Sequence, residues 1–133
     1  MNYFLDTDTC IFGLRGRFPA IKKQLQALIP DQIKIPSIVK AELFLGALKS
    51  GDPKKNTLLV EKFLEPYEIV SFNSKAAISY AKIRYELEKD GKSIGPNDLI
   101  IAASVIANQG ILVTHNIHEF ARIPGLLVED WTS

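Results

Sequence analysis

Cysteine is nearly absent from this chain. Cys10 is the only one in 133 residues, so no intrachain disulfide can form. The lone thiol reads as a small buried hydrophobe in a protein of a reducing compartment. An excess of charge of either sign is also missing. Sixteen basic and fifteen acidic side chains leave a formal net charge of +1. That balance argues against a broad, non-specific nucleic-acid binder but allows local basic patches. No apolar run is long enough to span a bilayer, and no charged segment followed by an apolar run opens the chain. The expected location is therefore the cytoplasm, with no membrane partner. There is no Gly-rich phosphate loop and no Ser nucleophile elbow. Repeats, low-complexity tracts and interdomain linkers are lacking too. With 47% hydrophobic residues, the chain suits one domain spanning 1–133.

What is present centres on Ser93 to Asn108. Gly95 and Pro96 form a helix entrance, since Pro is best tolerated in the first turn. Asp98 falls in that turn. From Leu99 to Ala107 nearly every residue is apolar, so this helix is expected to be buried on most sides. Asp98 is then a carboxylate at the mouth of the most buried helix. On its own it needs no more role than complementing the helix macrodipole.

Along the chain, Tyr3-Phe4-Leu5 reads as a buried strand. Asp6-Thr7-Asp8-Thr9 follows as a polar corner and helix start, and the helix is broken around Gly16 and Pro19. Ala20 to Ile29 reads as a second helix, Pro30-Asp31 as a turn and Ile33-Lys34-Ile35 as a second strand. Ser37 is expected to cap the helix Ile38 to Lys49. In that helix Glu42 falls in an arc with Leu45, Ile38, Gly46 and Val39, and a carboxylate there needs a partner. An ion pair to Lys49, or an arc facing a groove, would meet the need without any function. A helix from Lys54 to about Leu64 and a strand from Tyr67 to Phe72 come next. Asn73-Ser74 caps a long helix ending near Asp90-Gly91. After the buried helix, stopped at Gly110, Ile111-Leu112-Val113 is a fourth strand and Leu126-Leu127-Val128 a last one.

Strands alternating with helices predict an α/β fold with a central parallel sheet flanked by helices. In such folds the ligand site lies at the carboxyl ends of the strands. Asp6 follows the first strand directly, and Thr114 to Asn116 follow the fourth. Asp98 and Glu42 lie in helix N-terminal halves, which reach the same edge. Gathered carboxylates repel one another, so at neutral pH they protonate or bind a cation. Oxygen donors without Cys or suitably spaced His select a hard ion, Mg²⁺ or Mn²⁺. Such an ion favours phosphate as its remaining ligand and suits phosphodiester hydrolysis.

Weaker candidates surround this set. His115 and His118 would suit acid/base attack by an RNA 2′-hydroxyl, although such residues are more often structural. Asp8 is better explained as a helix cap. Thr114 suits holding an attacking water or capping a turn. Arg15, Arg17, Lys22, Lys23, Lys54 and Lys55 are potential phosphate contacts and, more simply, surface charge.

The ordered set of Phe4-Leu5-Asp6-Thr7, Ser37-Ile38-Val39 with Glu42, Gly95-Pro96-Asn97-Asp98 with Ile101-Ala102-Ala103, Leu112-Val113-Thr114 with Asn116 and Phe120, and Val128-Glu129-Asp130-Trp131 resembles PIN-domain ribonucleases. The likeness is to the VapC-type toxins of bacterial toxin–antitoxin pairs, and it covers the whole chain. It implies a three-layer sandwich with a parallel sheet of four or five strands and an Asp/Glu cluster that binds Mg²⁺ or Mn²⁺ and hydrolyses RNA. By the resemblance Asp6, Glu42 and Asp98 are the acidic core and metal ligands. Asn116 joins them in the catalytic set, standing where many members carry a fourth acid, so one well-held metal is expected between Asp6 and Asp98 and a second that binds weakly or only with RNA phosphate. Thr114 would position water or substrate. The resemblance also implies a homodimer inhibited by a VapB-type antitoxin, with operator DNA reached only through that antitoxin. Among RNA substrates tRNA is favoured over ribosomal RNA.

Two readings compete. Tyr3 to Cys10 resembles the opening motif of haloacid-dehalogenase-type phosphatases, with Asp6 as nucleophile, but no clear Lys motif follows and Glu42 would have no role. A phosphoreceiver-like signalling domain fits the length, but no Asp ends the second or third strand.

Overall fold

The computed structural model describes residues 1–133. Five short strands, β1 (Tyr3–Leu5), β2 (Ile33–Pro36), β3 (Glu68–Val70), β4 (Ile111–Val113) and β5 (Leu127–Glu129), form one sheet in the order β3-β2-β1-β4-β5. Every pairing is parallel. The helices are α1 (Thr7–Arg15), α2 (Pro19–Ala27), α3 (Ser37–Lys49), α4 (Pro53–Leu64), α5 (Ser74–Lys89), α6 (Pro96–Ala107) and α7 (Ile117–Phe120). They flank the sheet, as a parallel sheet requires. None is long and apolar enough to cross a membrane.

Burial follows strand position. All three residues of β4 are buried, as are Phe4 and Leu5 of β1, whereas the edge strands β3 and β5 each expose their first residue. Around the sheet the core continues through Cys10, Ile21, Val39, Leu43, Ile101, Ala102, Val105 and Phe120. Helix α6 buries seven of its twelve residues, in keeping with its nearly uniform apolar sequence. Cys10 is fully buried.

Several boundaries and caps differ from the sequence-based expectation. Asp6, not Asp8, caps α1: its Oδ1 accepts from the Thr9 backbone N–H at 2.9 Å. Asp8 is exposed in the first turn, where it only favours the helix dipole. Pro36 takes the N-cap place expected for Ser37, and no side chain caps α3. Asn73 caps α5 as its residue type suggested. Helix α2 stops at Ala27, β3 covers only Glu68–Val70, and the short α7 was not foreseen.

Gly110 takes part in the helix stop expected of it, donating its N–H to the Val105 carbonyl at 3.1 Å, and has a second role. Helix α6 ends at Ala107, and Gln109 takes the left-handed turn conformation, with φ 54°. A glycine is required at position 110 by close approach. A Cβ there would lie 2.4 Å from a Phe4 ring carbon and 3.1 Å from the Asn2 carbonyl oxygen. Ile111 then enters the sheet by donating its N–H to that Asn2 carbonyl.

Candidate active site

In the strand order 3-2-1-4-5 the chain runs outward from β1 to β3 and then returns to β4. The crevice between β1 and β4 is therefore the topological switch point, where open parallel sheets bind ligands at their carboxyl ends. Asp6 and Thr114, the residues directly after those two strands, both lie there.

Their backbones are tied together. Asp6 N–H donates to Val113 O at 3.1 Å, and the Thr9 hydroxyl donates to the same carbonyl at 3.2 Å. Asp6 is only 6% exposed. Burial pushes its carboxyl above the usual range, and Asp8 adds to this. The Thr114 hydroxyl, the Thr9 N–H and the Thr9 side chain offset part of the rise. Thr114, fully buried, also accepts the Asn116 N–H on its hydroxyl at 3.0 Å.

Glu42 projects from α3 and has no ion pair with Lys49. Its Oε1 accepts from the Thr7 hydroxyl at 2.6 Å, and its Oε2 accepts from the Asn97 amide at 3.2 Å. Two neutral donors on α1 and α6 thus hold it in place. Leu45 and Gly46, members of the expected apolar arc, are exposed. The arc faces outward at that end, which lessens the desolvation cost of the carboxylate.

Asp98 sits in the first turn of α6, half-buried. Its carboxyl is pushed up to about 7, first by burial, then by Glu119 beside it, and further by Asp6 and Glu42. Four carboxyl groups from α1's cap, α3, α6 and α7 therefore share one electrostatic site. The chain's ion pairs are Lys34–Glu68, Arg84–Glu88 and His115–Asp130, so no basic side chain neutralises any of the four.

Glu119 is the residue that sequence reasoning missed. Its Oε2 accepts from the Asn116 amide at 2.6 Å, and its Oε1 lies 3.4 Å from the Gly95 N–H. Asn116 thus turns its amide toward Glu119, and the rim is not one carboxylate short. The available signal was an acid six residues after the end of the fourth strand, between Asn116 and Phe120 of the motif.

The carboxylates form a loose ring. No three His, Cys, Asp or Glu side chains stand closely enough to cage an ion by themselves. This spacing still fits Mg²⁺, which takes one or two carboxylates and keeps several waters. Uncompensated charge, oxygen-only donors and a carboxyl held near neutrality are the features such a cation would relieve.

The two histidines are not hydrogen-bonded to each other. His115 is engaged through Nδ1 by Asp130 Oδ2 at 2.9 Å, and its ring lies beside Phe12 and Phe18. His118 is exposed on α7. Of the basic candidates, Arg15, Arg17, Lys22, Lys23, Lys54 and Lys55 are all exposed. Arg17 lies against the Phe12 ring.

Comparison with known proteins agrees with this geometry. The PIN-domain family model matches residues 3–126. The chain is 41% identical over 132 residues to a protein of Rickettsia felis named Ribonuclease VapC2, with 98% of each chain covered. It is 37% identical over 131 residues to the tRNA(fMet)-specific endonuclease VapC of Salmonella typhimurium, again with 98% of each covered. The solved structure of DNA-bound VapBC from Salmonella typhimurium superposes with a TM-score of 0.94 at 37% identity, covering 98% of both chains. The phosphatase and phosphoreceiver readings are not favoured by these matches. The chain belongs to the PIN-domain family, within its VapC ribonucleases of toxin–antitoxin systems, a family of metal-dependent nucleases.

Proposed function

We propose that residues 1–133 act as one PIN domain, a Mg²⁺-dependent endoribonuclease for which Mn²⁺ can substitute, with Asp6, Glu42, Asp98 and Glu119 as its acidic centre. The observation that carries this reading is the convergence of four carboxyl groups at the sheet's switch point with no cationic partner, one of them held near pKa 7. Asp6 and Asp98 are the expected metal ligands. Glu42 completes the set, oriented by Thr7 and Asn97. When bound, the ion supplies Lewis-acid activation of water and of the scissile phosphate.

The remaining assignments concern orientation. Thr114 fixes the Asp6 side and positions water or substrate, and Asn116 holds Glu119 at the rim. Asn116 thereby serves the site through Glu119.

Transfer RNA is the favoured substrate, because the Salmonella relative bears the name of a tRNA(fMet)-specific endonuclease. The same organism's VapC is solved with VapB on DNA. For this chain we infer a VapB-type antitoxin that blocks the rim, a homodimeric toxin, contact with operator DNA only through the antitoxin, and a cytoplasmic location.

The test is expression with and without the acidic centre, followed by sequencing of RNA 5′ ends. Wild-type chain should arrest growth and leave discrete new ends in tRNA, whereas folded Asp6→Asn and Asp98→Asn should do neither. Growth arrest by a folded variant lacking either carboxylate would remove that residue from the centre.

A further inference from the structure

Beside the acidic rim lies a cluster that the hydrolytic chemistry does not use. Phe12, Phe18 and His115 meet with ring centroids 4.9 Å apart for Phe12–Phe18, 6.0 Å for Phe18–His115 and 6.3 Å for Phe12–His115. Arg17 places its guanidinium carbon 5.5 Å from the Phe12 centroid. The His115 side chain is 56% exposed, and Phe12 and Phe18 are partly exposed.

The backbone goes out of its way to build this cluster. Gly16 takes a left-handed conformation with φ 69°, and Phe18 another with φ 55° and ψ 86°. Positive φ is costly for a bulky residue and persists only where surrounding structure enforces it. Arg17 N–H donates to the Phe12 carbonyl at 2.9 Å, folding the segment back over α1. On the other side Asp130 grips His115 Nδ1, and Thr132 in turn binds Asp130. This fixes the ring plane and leaves Nε2 as its free hydrogen-bonding atom.

The cluster's position relates it to the reaction. His115 follows Thr114, which lies against Asp6. Phe12 stands six residues along the helix that Asp6 caps, a rise of about 9 Å, so at most about three nucleotides separate the two even at the stacked rise of a helical strand. Guanidinium and aromatic faces together suit an unpaired base with its phosphate: every base has a π-face for the rings, and Arg17 supplies charge complementary to phosphate.

We propose that Phe12, Phe18 and His115, with Arg17 beside them, form a stacking site for an unpaired base of the RNA, within about three nucleotides of the bond that is cut. The site selects single-stranded over duplex RNA, because a paired base cannot offer its face to these rings. The proposal rests on the ribonuclease reading for its place beside the cut bond.

The probe is a short single-stranded RNA of mixed sequence carrying 2-aminopurine at successive positions. It is bound to full-length chain in an Asp98→Asn background, which lowers the rim's negative charge. The fluorescence should change sharply at one or two adjacent positions. Phe18→Leu should weaken binding by about tenfold, the scale of one lost base stack, while Phe18→Tyr should retain it. Arg17→Gln should weaken binding and reduce its salt dependence. Equal binding by a folded Phe18→Leu chain, or no position-specific fluorescence change, would overturn the proposal. A platform-dependent complex whose RNA the Asp98-intact chain never cuts in Mg²⁺ would uphold the stacking site and defeat the nuclease reading. Cleavage that Phe18→Leu and Arg17→Gln leave unchanged in kcat and KM would do the reverse.

Discussion

The carboxyl groups of Asp98 and Glu119 face each other at the mouth of α6, with Asp98 held near pKa 7 against an ordinary 3.8. An acid whose pKa is raised on folding binds more protons in the native state between those two values. It favours folding below about pH 4, and that advantage is lost as pH rises through about 7. Metal-free protein should therefore lose thermal stability from pH 5 to pH 8. Asp98→Asn should flatten that slope and melt several degrees higher than wild type at pH 8, in EDTA. Identical melting profiles for the two proteins would contradict the pairing.

Asn116 and Glu119 give a second expectation. Asn116→Asp replaces an amide donor, 2.6 Å from Glu119 Oε2, with a carboxylate. Without metal the free protein should melt lower at pH 8, because like charges now oppose each other. With Mn²⁺ the variant should gain more in melting temperature than wild type does, since hard-metal affinity rises with ligand charge. The same melting temperature without metal and the same gain with Mn²⁺ in both proteins would show that Asn116 has no bearing on the rim.

A methyl group on Gly110 would press on the Phe4 ring at 2.4 Å, and Phe4 is only 1% exposed. The ring has little room to retreat in a packed core. Gly110→Ala should cost about 1–3 kcal/mol, as overpacking does, read as a lower urea midpoint at an unchanged slope. A wild-type midpoint would mean that Phe4 can move.

Gln109 is the converse case. It occupies a left-handed position at φ 54°, just past the C-terminal end of α6, where Gly is the usual residue. Gln109→Gly should be neutral or stabilising by up to about 1 kcal/mol, since relief of backbone strain outweighs the added entropy of the unfolded chain. Chemical denaturation would show it, and a clear loss of stability would point to a contact made by the Gln side chain.

The residues legible in the sequence were those whose role is local. Asp6 ends an apolar strand and Asp98 opens an apolar helix, so neighbouring residues alone placed both at one sheet edge. The arc around Glu42 showed that a carboxylate was out of place, but its donors Thr7 and Asn97 lie 35 and 55 residues away. No periodicity reports contacts of that range, and the suggested Lys49 pair was wrong for that reason. Glu119 was missed because α7 has only four residues, too few to show a helical pattern. Gly110 was legible as part of the helix stop, but not its second constraint, the Phe4 ring that lies against it from β1. The strand order likewise depends on long-range pairing that no short stretch encodes.

Cleavage of purified RNA by the metal-stripped chain, with and without added Mg²⁺, tests the central claim most directly. Mg²⁺ should restore cutting, leaving 5′-phosphate and 3′-hydroxyl ends, and excess EDTA should abolish it, with Asp6→Asn inactive in both conditions. Full cleavage in EDTA, or ends bearing a cyclic phosphate, would contradict a metal-dependent centre at Asp6, Glu42, Asp98 and Glu119.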